Sequence, residues 1–231
     1  PSGHVSRYTD PAMLDIYVMA AAGGVNKMLV AELQRLGCNA LGLSGVDGRL
    51  LLARRKDAVR AVENGRQRVI RDDYTGQIEA SNGALLELLL QAGYTPVVAP
   101  LALGLCGERL NVDGDRAAAM IAGALNADAL VILSNVPGLL ADYPHESSLL
   151  HHVDPAHLGA VEALAHGRMK KKVLAAREAL ERNVRSVILA DSRRPAPIRA
   201  ALAGEGTVIG ELGFELAEIS ARMAPSLVEV R

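Results

Sequence analysis

Two unbroken apolar runs, Ala129-Leu-Val-Ile-Leu-Ser134 and Ser186-Val-Ile-Leu-Ala190, constrain this chain more than any other feature. A strand with no polar side must be buried on both faces, which is how the strands of a helix-covered parallel sheet read. Between the two runs, Met169 to Asn183 carries a helical pattern. Pro96-Val-Val-Ala-Pro100 reads as a further buried strand, Asp115 to Asn126 as an Ala-rich helix, Pro197 to Ala203 as a short helix and Thr207 to Ile209 as a last strand. Strands alternating with helices predict an α/β fold with right-handed crossovers and a mainly parallel sheet. Aromatic residues make up 3% of the chain and Trp is absent, so the core falls to Ala, Leu, Val and Ile.

The N-terminal half is less regular. Leu14, Val18, Ala21, Val25, Leu29, Leu33 and Leu36 recur at helical spacing, and Gly37 is a stop signal, so Pro11 to Leu36 is predicted as one long helix. Gly23-Gly24 weakens its middle by about 1 kcal/mol per Gly relative to Ala, and is read as a close contact with another backbone ahead of a ligand contact. Residues 40 to 75 alternate short strands with the Gly-rich turn Gly45-Val-Asp-Gly48 and are expected to form an antiparallel excursion beside the main sheet. A helix from Ile78 to Ala92, closed by Gly93, follows.

The formal charge of −1 and a pI near 6.7 leave no basic excess to drive nucleic-acid binding. Cys38 and Cys106 stand apart without metal-ligand or disulfide spacing, which fits a reducing cytoplasm. Apolar runs break before the roughly 18 residues of a membrane span, and residues 1 to 10 lack a signal-peptide core, so no membrane association is expected. The chain opens without Met, in a Pro-Ser-Gly-His stretch that reads like the middle of a loop, and upstream sequence is expected to precede it.

Ligands of open α/β sheets bind beyond the carboxyl ends of strands, which directs attention to three polar turns. These are Ser44-Gly45-Val-Asp47-Gly48, Asn111-Val-Asp113-Gly-Asp115 and Ser134-Asn135-Val-Pro-Gly138. Neither a GxxxxGK loop nor GxGxxG occurs, so bound phosphate would have to rest on helix N-termini, turn amides and lysines.

Seven ordered segments carry a resemblance: Ser6-Arg7-Tyr8-Thr9, Gly24-Val-Asn26-Lys27, Leu43 to Gly48, Leu110 to Asp115, Leu133 to Gly138, Gly167-Arg-Met169 with Lys172, and Gly204-Glu-Gly-Thr207. Together they resemble the amino-acid kinase family, in its acetylglutamate kinase branch, and within it the members that act on an amino acid carried by the small acidic protein LysW. The resemblance implies a three-layer α/β sandwich around a central mainly parallel sheet over residues 1–209, with 210–231 a tail of no assigned role. It implies transfer of the γ-phosphate of ATP, with Mg, to the side-chain carboxylate of carried α-aminoadipate or glutamate, and a homodimer for which the Pro11 to Leu36 helix is a candidate contact.

Position by position, the resemblance makes Arg7 a carboxylate clamp and Asn111 a donor to the amino-acid moiety. Asp115 would orient active-site lysines, with helix N-cap as its alternative role. Lys172 would neutralise the phosphoryl group in flight, and Ser134, Asn135, Gly138 and Met169 would lie along the nucleotide. The family's opening strand with Lys-x-Gly-Gly and its second Gly-rich turn have no counterpart in these residues, and Lys27 does not match that lysine.

Residues 49–71 hold eight basic side chains against Asp57 and Glu63, a local charge of +6 on a chain of −1. Such a patch suits an acidic partner, so Arg54, Arg55, Lys56, Arg66 and Arg68 are expected to dock the carrier. His145, His151, His152 and His157 lack ligand spacing and are not read as a metal site, and Cys106 has no base beside it. Two alternatives remain open: an acetylglutamate kinase of arginine synthesis, and a binding remnant that holds nucleotide without transferring phosphate.

Overall fold

The computed structural model describes residues 8–55, 59–63 and 66–211, with backbone only at 59–63, 66–68 and 70. The described residues fall into two compact units, one ending at Leu125 and the other starting at Asn126.

In the first unit, Asp10 caps α1 (Pro11–Val18) by accepting from the Met13 N–H, and Pro11 occupies the first turn, where its missing N–H costs nothing. The chain continues through seven π-helical residues, Met19–Val25, into α2 (Asn26–Arg35), so the long helix is present as expected. Its glycines do not serve the expected close contact. A Cβ on Gly23 would meet nothing within 4 Å, and one on Gly24 only its own helix, at Met19 O 3.9 Å away. Their place in the π-turn instead puts flexible backbone where the hydrogen-bond ladder is irregular.

Among the described residues this 25-residue helix is the one long and apolar enough to cross a membrane, with a mean hydropathy of 1.3 over its most apolar window, contrary to the reading that every apolar run breaks too early. One face is nevertheless tied to a sheet. Asn26 is buried, and its Nδ2 donates to Leu43 O at 3.2 Å and Val97 O at 2.7 Å, bridging β1 (Ala40–Ser44) and β6 (Thr95–Ala99), which pair in parallel.

Between β1 and β6 the chain forms β2 (Leu51–Arg55), the antiparallel hairpin β3 (Val59–Glu63) and β4 (Arg66–Ile70), β5 (Gly76–Ser81) and α3 (Gly83–Gln91). After β6 come β7 (Leu101–Gly104), β8 (Arg109–Asn111) and α4 (Gly114–Ala124). A four-stranded sheet runs β5-β2-β7-β8, with β2 antiparallel to β5 and parallel to β7. The excursion expected over 40–75 is therefore only partly antiparallel. Residues 78–81 are strand rather than helix, because the Asn82 side chain accepts from Leu85 N–H and starts α3 there. Leu50, Leu51, Ala53, Leu86, Ala102, Leu110, Val112 and Ala117 form the core. Gly45 admits no side chain, since a Cβ would stand 1.9 Å from Leu101 O.

The second unit comprises β9 (Ala129–Ser134), β10 (His152–Val153), α5 (Leu158–Glu162), α6 (Met169–Leu180), β11 (Ser186–Asp191), α7 (Pro197–Leu202) and β12 (Thr207–Gly210), with strand order β10-β12-β11-β9. The two apolar runs pair in parallel as β9 and β11, and β11 is buried along its whole length. β12, by contrast, runs antiparallel to β11. Ala201 and Leu202 of α7 pack on Ile188, Ala190 and Val208.

Candidate active site

In the second unit the end of β9 is held from two sides. Ser192 donates to Ser134 O through its N–H at 2.7 Å and its hydroxyl at 2.8 Å, and Ser134 Oγ donates to Val136 O at 3.2 Å. The turn that follows rests on β12: Leu139 N–H donates to the fully buried Thr207 Oγ1 at 2.8 Å. Gly138 is required there, since a Cβ would stand 2.5 Å from Thr207 Oγ1 and 2.8 Å from Leu149 Cδ1. Two segments of the resemblance, Leu133 to Gly138 and Gly204 to Thr207, thus form one support.

A cavity of about 370 Å³, within the range of small-molecule sites, is lined by Ser134, Asn135, Gly138, Met169 and Lys172. The four residues expected along the nucleotide and the lysine expected at the phosphoryl group therefore share one enclosure. Tyr143 and His166 also line it and stack with centroids 6.1 Å apart and planes at 19°. Neither could be placed from sequence, where Tyr143 is one aromatic in a Pro-rich loop. Gly167, at φ 54, turns the chain into α6, whose start has no side-chain cap and no acidic residue in its first turn. Helix N-termini favour anions, so Lys170, Lys171 and Lys172 are locally unfavourable to the helix there, and of the three Lys172 lines the cavity.

The first unit holds the other expected residues. Asn111 ends β8, and its Nδ2 donates to Thr9 Oγ1 at 3.1 Å. Thr9 N–H donates to Asp73 Oδ1 at 3.1 Å, and Thr75 gives Asp73 its N–H at 3.2 Å and its hydroxyl at 2.8 Å; all three residues are buried. Asp73 and Thr75 escape sequence reading because they look like a solvated turn. The N-cap of α4 is Asp113, which accepts from Asp115 and Arg116 N–H, so the capping role considered for Asp115 belongs to Asp113 and Asp115 sits in the first turn. Burial, and secondarily Asp113, pushes the half-buried Tyr17 hydroxyl upward. The Asp72 carboxylate, hydrogen-bonded to Tyr8, pushes that phenol up to about 12.

Of the basic residues, Arg54 pairs with Glu79 at 2.6 Å in an exposed contact. Arg55 turns inward, donating through Nε to Asp73 O at 2.9 Å and through Nη2 to Arg71 O at 3.1 Å, with its guanidinium 3.8 Å over the Tyr74 ring. Arg66 and Arg68 lie on β4, whose backbone alone is described there, while Arg7 and Lys56 lie outside the described residues. His145 Nδ1 meets Asp142 at 3.0 Å and His152 Nε2 meets Gly210 O at 3.0 Å. Among the described residues no three His, Cys, Asp or Glu side chains group as metal ligands.

The sequence profile of the amino acid kinase family matches residues 1–191. A [LysW]-aminoadipate kinase from Thermus thermophilus is 54% identical over 215 residues, covering 90% of this chain and 78% of that protein. An acetylglutamate kinase from Methanopyrus kandleri is 42% identical over 205 residues, covering 88% and 79%. Among solved structures, an N-acetylglutamate synthase from Neisseria gonorrhoeae, complexed with coenzyme A and N-acetyl-glutamate, superposes with a TM-score of 0.73 at 25% identity. That match covers 90% of this chain but 46% of the other, so the chain spans about half of its length.

Proposed function

The chain belongs to the amino acid kinase family, and from that premise we propose that it transfers the γ-phosphate of ATP to the side-chain carboxylate of α-aminoadipate carried by LysW, in lysine biosynthesis. The observation that carries the phosphoryl-transfer reading is the single cavity that gathers Ser134, Asn135, Gly138, Met169 and Lys172 at the uncapped start of α6. The choice of substrate rests on the 54% identity to the Thermus kinase.

The acceptor is already ionised at neutral pH, so no general base is needed. A carboxylate oxygen forms the new bond to the γ-phosphorus as the bond to the β-phosphate oxygen breaks, releasing ADP and leaving an acyl phosphate. The obstacle is repulsion between two anions, and positive charge aimed at the transferring oxygens is what lowers it. Lys172 supplies that charge and the first-turn N–H groups of α6 add to it. Asn135 and the Ser134 hydroxyl hold the nucleotide, with Gly138 and Met169 shaping the wall. The cavity lining offers hydroxyl and amide oxygens and no carboxylate, a donor set that fits Mg²⁺ bound chiefly by nucleotide phosphates and water. When bound, Mg²⁺ screens phosphate charge.

In the first unit, Asn111 is assigned to the amino-acid moiety, Asp115 to orienting active-site lysines and Arg7 to a substrate carboxylate. The basic hairpin is the proposed carrier surface, with Arg54, Lys56, Arg66 and Arg68 as its docking charges, and Arg55 as a support. Met13, Ile16, Met19, Val25, Met28 and Leu29 expose an apolar face along the first helix, the proposed contact of a homodimer. The reaction is placed in the cytoplasm, where ATP is supplied.

The test is incubation of the full-length protein with ATP, Mg and hydroxylamine, which traps an acyl phosphate as hydroxamate. Product from carrier-bound aminoadipate or glutamate alone supports the reading. Product from free N-acetylglutamate moves the protein to arginine synthesis, and silence with every substrate favours a binding remnant.

A further inference from the structure

Asp73 is buried, and a buried carboxylate is costly unless its lone pairs are satisfied. Here they organise the chain around them. Oδ1 accepts from the N–H groups of Thr9 and Thr75, and Oδ2 from the Thr75 hydroxyl. Thr9, fixed in this way, accepts from Asn111 Nδ2 through its hydroxyl at 3.1 Å and from Tyr74 N–H through its carbonyl at 2.7 Å. Asn111 N–H closes the loop by donating to Tyr74 O at 2.9 Å. One amide hydrogen of Asn111 is thereby committed, which sets the direction of its remaining N–H and its Oδ1.

Arg55 holds the same segment from the other side. It is the last residue of β2, immediately before the chain leaves for the basic hairpin. Its guanidinium grips the carbonyls of Asp73 and Arg71 and stacks on Tyr74 between them. A planar fork can meet two carbonyls and lie flat on a ring face at once, whereas a compact ammonium can meet a carbonyl or the ring but cannot make all three contacts together.

We propose that Asp73 is a positioning residue for Asn111, acting through Thr9, and that Arg55 fastens the same strap, residues 71–75, to the base of the basic hairpin. The surface assigned to the carrier and the side chain assigned to its amino acid then share one rigid support. The inference rests on the roles proposed above for Asn111 and the hairpin.

Hydroxamate kinetics of the full-length protein on carrier-bound aminoadipate test it through a double-mutant cycle. Thr9→Val is isosteric and keeps the backbone groups that Asp73 and Tyr74 hold, removing only the hydroxyl. It is expected to lower kcat/KM about two- to tenfold, the worth of one hydrogen bond, and to have no further effect in an Asn111→Ala background. Additive losses in the double variant overturn the positioning role while leaving the substrate role of Asn111 intact. A parent-like Asn111→Ala variant instead refutes that substrate role, and with it the target that Asp73 would position.

Asp73→Asn keeps one oxygen for the two N–H donors and lets the Thr75 hydroxyl accept, so it is expected to recover most of what Asp73→Ala loses; equal losses in both folded variants overturn the proposal. If Asp73→Ala does not fold, the Thr9 cycle decides. Arg55→Lys is expected to lower kcat with KM for the carried substrate within about twofold, whereas a raised KM at unchanged kcat makes Arg55 a docking residue and breaks the proposed link.

Discussion

Replacing Gly138 by Ala adds one methyl group where the structure has no room for it. The new Cβ would stand 2.5 Å from Thr207 Oγ1, 2.8 Å from Leu149 Cδ1 and 3.0 Å from Thr207 N, and Thr207 is fully buried, so neither the turn nor the strand can yield freely. Forcing a methylene into a packed site costs about 1–3 kcal/mol. Displacing Thr207 also breaks the bond it accepts from Leu139 N–H, which adds about 1 kcal/mol. The expected destabilisation is thus about 2–4 kcal/mol, or a fall in Tm of about 4–16 °C at 2–4 °C per kcal/mol for a domain of this size. The same displacement moves the turn that lines the cavity, so KM for ATP should rise more than KM for the carried amino acid. Thermal denaturation and hydroxamate kinetics read both effects. Gly159→Ala is the control: it sits in α5 with nothing within 4 Å of its Cβ, and should be neutral or slightly stabilising. A Gly138→Ala protein within about 0.5 kcal/mol of its parent would refute the packing argument.

Lys172→Met should lower kcat about 10²- to 10³-fold, since a positioned charge on the transferring oxygens is lost, while the Kd for ATP measured calorimetrically changes far less. Reversing Arg54, Lys56 and Arg68 to Glu should raise KM for carrier-bound aminoadipate about tenfold or more at low ionic strength, with the difference shrinking in high salt and KM for ATP unchanged; identical kinetics would remove the hairpin as a docking surface. Tyr8 should titrate near 12, because its hydroxyl is held protonated by the hydrogen bond to the Asp72 carboxylate, with the negative charge of Asp72 adding to it. Asp72→Asn should bring one tyrosine back toward 10, seen as earlier phenolate absorbance in a spectrophotometric titration.

Much of the second unit was legible in the sequence. The apolar runs of β9 and β11 read as strands and pair in parallel, β11 buried throughout and β9 alternately buried and half-buried, and the residues at the end of β9 and the start of α6 do share a cavity. The first unit was harder, because its decisive contacts are distant in sequence and polar. Asn111 and Thr9 are 102 positions apart, and Thr9 and Asp73 are 64 apart. Asp72-Asp73-Tyr74-Thr75 carries no periodicity to mark which of its side chains turns inward. Arg55 looks like its neighbours Arg54 and Lys56 in composition, and only the position of the Arg71 and Asp73 carbonyls separates a strut from a surface charge.

The sequence by itself determined the α/β class, the parallel pairing of its most apolar strands, the Gly-rich turn after β9 that lines the cavity and the stop of the long helix at Gly37, because these follow from local propensity and hydrophobic period. Tertiary structure decided the direction of β12, the change from strand to helix at Asn82, the capping of α4 by Asp113 rather than Asp115, the π-turn at Gly23-Gly24 and the inward turn of Arg55. Each of these depends on which backbone groups lie near a given side chain after the chain has closed on itself, and no local pattern records that.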